Sequence, residues 1–79
     1  MRYSDGREVR PGDRVLWGGR EGKVVLSVET GEAVEGFSLQ DWAGLIEEGV
    51  LISISGLGLV HCFGQDDDLV LLHAGEPEV

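Results

Sequence analysis

The sequence predicts an all-β domain, a partly open barrel of five to six short antiparallel strands with one short helical insert. Three observations predict it. Apolar residues come in short runs such as Val50-Leu51-Ile52 and Leu69-Val70-Leu71-Leu72, which have the length of strands rather than helices. Glycine, 13 of 79 residues, sits between those runs, where it permits the positive φ of tight turns. The chain is also too short for more than one domain. A strongly bent antiparallel sheet is the architecture with which so short an all-β chain encloses a core.

Residues 3–9 read as a short strand, or two short pieces, around a Ser4-Asp5-Gly6 turn. Pro11-Gly12-Asp13 reads as a turn, and residues 14–17 as a strand with Val15 and Trp17 on one face. Residues 18–22, with three glycines, supply a hairpin loop. In the next strand, 23–29, Val24, Leu26 and Val28 share one face, and Lys23, Val25, Ser27 and Glu29 form a mixed, half-solvated one. After a Gly- and Glu-containing loop, Ser38 offers an N-cap with Asp41 three residues on. Leu39, Trp42 and Leu45-Ile46 then recur at helical spacing, and Gly49 stops the helix after at most two turns. Residues 50–55 form a strand with Val50, Ile52 and Ile54 inward, followed by a two-residue turn at Gly56-Leu57. Residues 57–63 run back with Leu59, His61 and Phe63 on one face. An acidic loop leads to the last strand, 69–73, whose apolar run suits the buried side of a barrel. The domain is expected to span 1–73, with 74–79 a flexible acidic tail.

The opening hairpin carries a resemblance. Gly12-Asp13-Arg14-Val15, then Gly18-Gly19, Gly22 and Val24-Val25, resembles the first hairpin of SH3-like small barrels, closest to the Gly-Asp-x-Val segments of KOW-type modules. It covers about a fifth of the chain and implies the barrel fold; function has to be argued from the site. The sequence as a whole also resembles a small uncharacterised family of bacterial proteins.

Charge narrows the partners. The chain carries −9 at neutral pH. All six basic residues, Arg2, Arg7, Arg10, Arg14, Arg20 and Lys23, fall within residues 1–23, where four acidic residues leave a net of +2. Residues 24–79 carry 11 acidic residues and no basic one. Such a balance keeps a small domain soluble, and it also offers an acidic face to a basic partner. Nucleic acid is disfavoured, because phosphate binding needs clustered Lys and Arg, and anionic membranes are disfavoured for the same reason. No apolar stretch is long enough to span a bilayer, and the first residues lack the apolar segment of an export signal. A single cysteine, Cys62, forms no internal disulfide and argues for a cytoplasmic setting.

Catalytic and metal-binding constellations are weak. His61-Cys62 pairs a base with a nucleophile in sequence, yet neighbours on a strand point to opposite faces. Cys62 is therefore expected in or near the core, with His61 satisfied locally. His61 and His73 would share a metal only if their strands paired. The run Asp66-Asp67-Asp68 lacks the spacing of a calcium loop and reads as a solvated turn. Residues 18–22 precede no helix, so they make no helix-terminal phosphate site.

These readings predict a non-catalytic protein-binding module of the bacterial cytoplasm, with no cofactor and no metal. Its partner is expected to be a basic protein, engaged by Glu47, Glu48, Asp66, Asp67 and Asp68, with Trp17 or Phe37 as aromatic anchors. Trp42 is expected in the core. A sharper form of the same expectation is an inhibitor or immunity-type protein that presents carboxylates where a basic toxin, such as a nuclease, would bind phosphates. The alternative is an RNA- or ribosome-associated module using Arg14, Arg20 and Lys23. A thin core and open sheet edges are also compatible with a homodimer.

Overall fold

The chain builds one antiparallel sheet around two apolar clusters. A computed structural model describes residues 1–42, 44–64 and 68–75. Among these, the strands are β1 (Arg14–Trp17), β2 (Arg20–Ser27), β3 (Glu32–Ala33), β4 (Val50–Ile54), β5 (Gly58–Cys62) and β6 (Leu69–His73), with one helical turn, α1 (Leu39–Trp42). The strand order is β5-β4-β2-β1-β6, with β3 paired to β2 off that path. Every pairing is antiparallel. The sheet stays open, with β5 and β6 as its two edges. The architecture is thus the expected all-β one with a short helix. Among the described residues, no helix is long and apolar enough to cross a membrane.

The first cluster lies inside the bend of the sheet. Val15 of β1, Val24 of β2, Val50, Ile52 and Ile54 of β4, Cys62 of β5 and Leu69 of β6 all enter it, joined by Met1, Tyr3 and Val9. Trp17, Val60 and Leu71 pack against it from partly buried positions. Every long strand thus contributes to one core. Burying each of these aliphatic side chains contributes about 1.5–3 kcal/mol. As expected, Val50, Ile52 and Ile54 point inward, while Leu59, His61 and Phe63 share the outward face of the β5 segment.

Asp13 fastens the chain around this core. It is buried, and its carboxylate accepts three hydrogen bonds. The Tyr3 hydroxyl donates at 2.7 Å, the Arg10 amide at 3.0 Å and the Gly75 amide at 2.9 Å. Its own carbonyl accepts from the Val24 amide. Two glycines are needed at this junction. Gly12 has a φ of +96°, and its neighbour Gly75 must itself be glycine because a Cβ there would fall 2.8 Å from the Gly12 carbonyl carbon. The Gly-Asp-x-Val segment is therefore a structural device in this protein. Burial and the bond to Asp13 push the Tyr3 phenol well above its usual range, so the proton stays on the hydroxyl.

Several elements differ from the sequence reading. The β1–β2 hairpin closes with two residues, Gly18 and Gly19, both at positive φ, rather than with five. Gly22 belongs to β2, and a Cβ there would approach Ile54 Cδ1 to 2.6 Å. A bulge between Val24 and Leu26 shifts the β2–β4 register. It breaks strict alternation, so Val25 and Leu26 both enter the second cluster and Ser27 is fully buried. On the face expected to be half-solvated, Val25 and Ser27 are thus covered while Lys23 and Glu29 stay exposed. The helix ends after one turn because Gly44, at φ +90°, leaves the helical region five residues before Gly49. Leu45, read with Ile46 at helical spacing from Leu39 and Trp42, is 72 % exposed. The β4–β5 turn has three residues, 55–57. Residues 3–9 do fold as two short pieces, with an Arg2–Glu8 bridge around the Ser4-Asp5-Gly6 turn. The expected tail begins in place, since Gly75 is bound to Asp13; residues 76–79 lie outside the described residues.

Candidate functional site

Residues 28–49 form an insert whose base is closed by the Val28 amide donating to the Gly49 carbonyl at 3.0 Å. Within it, β3 folds back on Leu26 and Ser27, and the Val34 amide donates to the Val25 carbonyl at 2.9 Å. The amides of Leu45 and Ile46 both donate to the Trp42 carbonyl, which turns the chain at the end of α1. The result is the second cluster. Val25, Leu26 and Leu51 form its floor, and Val28, Ala33, Val34, Phe37, Leu39, Trp42 and Ile46 lean on it half-buried.

This lid does not close. A groove of about 450 Å³ remains between the end of β2 and α1, lined by Leu26, Val28, Leu39, Trp42, Gly44, Ile46 and Glu47. Its walls are mostly apolar, with Glu47 among them, and the charged residues of the insert are all acidic. Glu29, Glu32, Glu35, Asp41, Glu47 and Glu48 are the charged residues of positions 28–49, and all six are exposed. Glu29 accepts an ion pair from the Met1 amino group. The remaining five make no ion pair among the described residues. An apolar slot with a carboxylate, Glu47, in its lining suits a side chain or segment that is itself apolar with a cationic end.

The acidic residues expected to act together are divided by the fold. Leu69, which follows Asp68, pairs with Trp17, and Trp17 pairs with Arg20 at the start of β2. Val50, two residues after Glu48, pairs with Ser27 at the end of β2. Asp68 and the Glu47-Glu48 pair therefore lie at opposite ends of that strand. Asp68 is exposed, and its carbonyl accepts from the Gly18 amide at 3.3 Å. Asp66 and Asp67 lie outside the described residues. Trp17 is half-buried against the first cluster, and Phe37 is half-buried in the second without lining the groove.

The basic hairpin divides as well. Arg14 and Lys23 are directly opposed across β1 and β2 and both are exposed. With Glu21, Gly22, Ser53 and Ser55 they line a shallow depression of about 280 Å³ on the outer face of the sheet. Arg20, an odd number of residues from Lys23 on β2, belongs to the opposite face, and its guanidinium lies beside the Gly56 turn.

His61, Cys62 and His73 do not converge. His61 is exposed and its Nε2 donates to the Glu48 carbonyl at 2.7 Å, while Cys62 is buried. The His61 and Phe63 rings stack at 5.2 Å between centroids. His73 donates from Nδ1 to the Ala74 carbonyl at 2.8 Å, on the strand at the far edge of the sheet. The pairing of strands that would have joined the two histidines is not formed. Among the described residues no group of three or more His, Cys, Asp or Glu side chains is placed to hold a metal.

The groove residues Leu39, Trp42 and Ile46 were legible only as an inward stripe of a helix. Nothing in their spacing says that the helix stops after one turn and leaves the stripe half covered. The one available signal was the crowding of carboxylates around them. No protein family, characterised protein or solved structure matches the chain.

Proposed function

We propose that this protein is a non-catalytic binding module whose partner is a basic protein, engaged at the insert. The observation that carries this reading is the mostly apolar groove beside Trp42, with Glu47 in its lining, in a stretch of chain whose charged residues are all exposed carboxylates. Carboxylates there steer a cationic partner and the groove supplies desolvated contact area. Glu47 and Glu48, expected as contacts from sequence, belong to this surface. Asp68 and Trp17 belong to the other end of β2 and are assigned at most to a separate contact. An inhibitor or immunity-type role, blocking a basic toxin, is the sharper form of the same proposal, and the bacterial cytoplasm is its expected setting.

The test is capture of tagged protein from cell lysate at about 50 mM and about 300 mM salt, where screening lengths differ about twofold. A basic protein should be retained at low salt. It should be lost when Asp41→Asn, Glu47→Gln and Glu48→Gln are combined, and reduced by Trp42→Ala. Retention that ignores all of these changes sinks the proposal.

A second reading has one observation in its favour. Arg14 and Lys23 stand opposite each other without an ion pair among the described residues, and like charges so placed are unfavourable unless something negative joins them. An RNA- or ribosome-associated role would use this pair. Loss of RNA retention at low salt in Lys23→Gln would support it, and no RNA retained at about 50 mM salt would end it.

A further inference from the structure

We infer that the outer edge of β5 is a contact between two copies of this chain, paired antiparallel about a twofold axis at Val60. Edge strands present unpaired backbone groups, and monomeric proteins guard them with charges or proline. Among the described residues of this segment the guard is missing. Residues 49–64 contain no Asp, Glu, Lys, Arg or Pro, in a chain where 21 of 79 residues are Asp, Glu, Lys or Arg. The segment also shows its apolar side to solvent. Leu57 is 52 % exposed, Leu59 44 % and Phe63 58 %, and exposed His61 completes the alternating line.

Pairing about Val60 is self-complementary, as a twofold interface must be. Gly58 faces Cys62 of the second copy, and Leu59 faces His61. Just beyond the strand, Leu57 faces Phe63 of the second copy. Each exposed apolar residue thereby gains a cross-strand neighbour.

Charge selects this partner. Two copies at −9 each repel, so they meet only where carboxylates are absent or answered by cations. At one end of β5, His61 holds the carbonyl of Glu48, with Glu47 beside it. At the other end, the guanidinium of Arg20 lies 3.9 Å from where a Cβ of Gly56 would be. Antiparallel pairing carries the Glu47-Glu48 end of one copy to the Arg20 end of the other, twice. The edge strand β6 also exposes apolar residues, Val70 and Leu72, and serves as the control. Leu59, Val60 and Arg20 lie outside the binding groove, and only Glu47 and Glu48 are shared with the proposed binding surface, so Leu59→Lys separates the two contacts.

The test is sedimentation equilibrium of the purified chain from about 10 μM to about 1 mM, a range that covers weak strand-to-strand association. A concentration-dependent dimer is expected. Leu59→Lys should weaken it at least about tenfold, a loss of about 1.4 kcal/mol, while Leu72→Lys leaves it unchanged. Arg20→Glu should weaken it, and adding Glu48→Arg should restore it. Both positions of that exchange are exposed, so it reads the contact even if Leu59→Lys fails to fold. A monomer throughout the range overturns the inference. So does a dimer broken by Leu72→Lys but not by Leu59→Lys, or a charge exchange that restores nothing.

Discussion

The two apolar clusters lie on the same long strand, β2, yet they are finished differently. The first takes side chains from every long strand and is sealed by the three-way bond at Asp13. The second has three buried residues, a single helical turn for a lid and an open groove. The bulge at Val25 is what lets one strand serve both. The comparison teaches a division of labour, in which one half of β2 holds the fold and the other presents a surface that folding leaves unsatisfied.

The comparison breaks if the two clusters prove equally costly to disturb. Ile52→Ala, in the fully buried first cluster, should cost about 4 kcal/mol and lower the thermal midpoint by roughly 20 °C. Equilibrium unfolding in urea measures it, and a loss below about 1 kcal/mol would mean that this cluster does not hold the fold. Asp13→Ala comes next. It leaves the Tyr3 hydroxyl and the amides of Arg10 and Gly75 without their acceptor, for a loss of about 3 kcal/mol. Tyr3→Phe should cost less, because Asp13 keeps two donors.

Alkaline titration sharpens the same point. Tyr3 is the only tyrosine, so phenolate absorbance reports it alone. Its folded pKa is raised by burial first and by Asp13 second. The stability linked to it is therefore complete below the ordinary tyrosine pKa of about 10 and is lost as pH rises beyond it. Phenolate absorbance should appear together with unfolding, not before it. A phenol that titrates normally in the folded protein would contradict the sealed core.

In the second cluster Leu39→Ala should cost only about 1 kcal/mol, since the side chain is already half in water. The smallest effect belongs to Asp5, where the Arg7 amide at 3.0 Å and guanidinium at 2.8 Å hold the carboxyl below its usual range. That contribution is present above the ordinary carboxylate pKa and fades as pH falls through the lowered one. Asp5→Asn should remove this acid dependence and change the midpoint at neutral pH by less than the scatter of replicate melts.

The sequence was most informative where one local rule acted alone. Alternation placed Val50, Ile52 and Ile54 inward, and the strand read at 69–73 matched the bounds of β6, although only Leu69 of its apolar run is buried and Val70 and Leu72 are exposed. It failed where two rules competed. Val24, Leu26 and Val28 alternate cleanly, but the bulge overrides that period and sends Val25 inward with Leu26. Leu39, Trp42 and Ile46 keep helical spacing, but Gly44 ends the helix before the stripe is used. The glycines of 18–22 looked alike, yet two turn the hairpin and Gly22 lies flat beneath Ile54. The candidate site was legible as charge, because carboxylate density needs no register. The groove was not, because it is a shortage of packing and leaves no mark in residue type.

The pairing of β1 with β6, with the bond from Gly75 back to Asp13 across 62 positions of sequence, has a consequence for synthesis. A ribosome releases the chain from its amino end, so β1 waits with one edge bare until residue 75 has emerged. The first cluster cannot be sealed before then, because Leu69 and Leu71 are among its members. Release of residue 75 is therefore the step that commits this protein to its fold. A nascent chain stalled a few residues earlier should remain open to proteases that spare the finished protein.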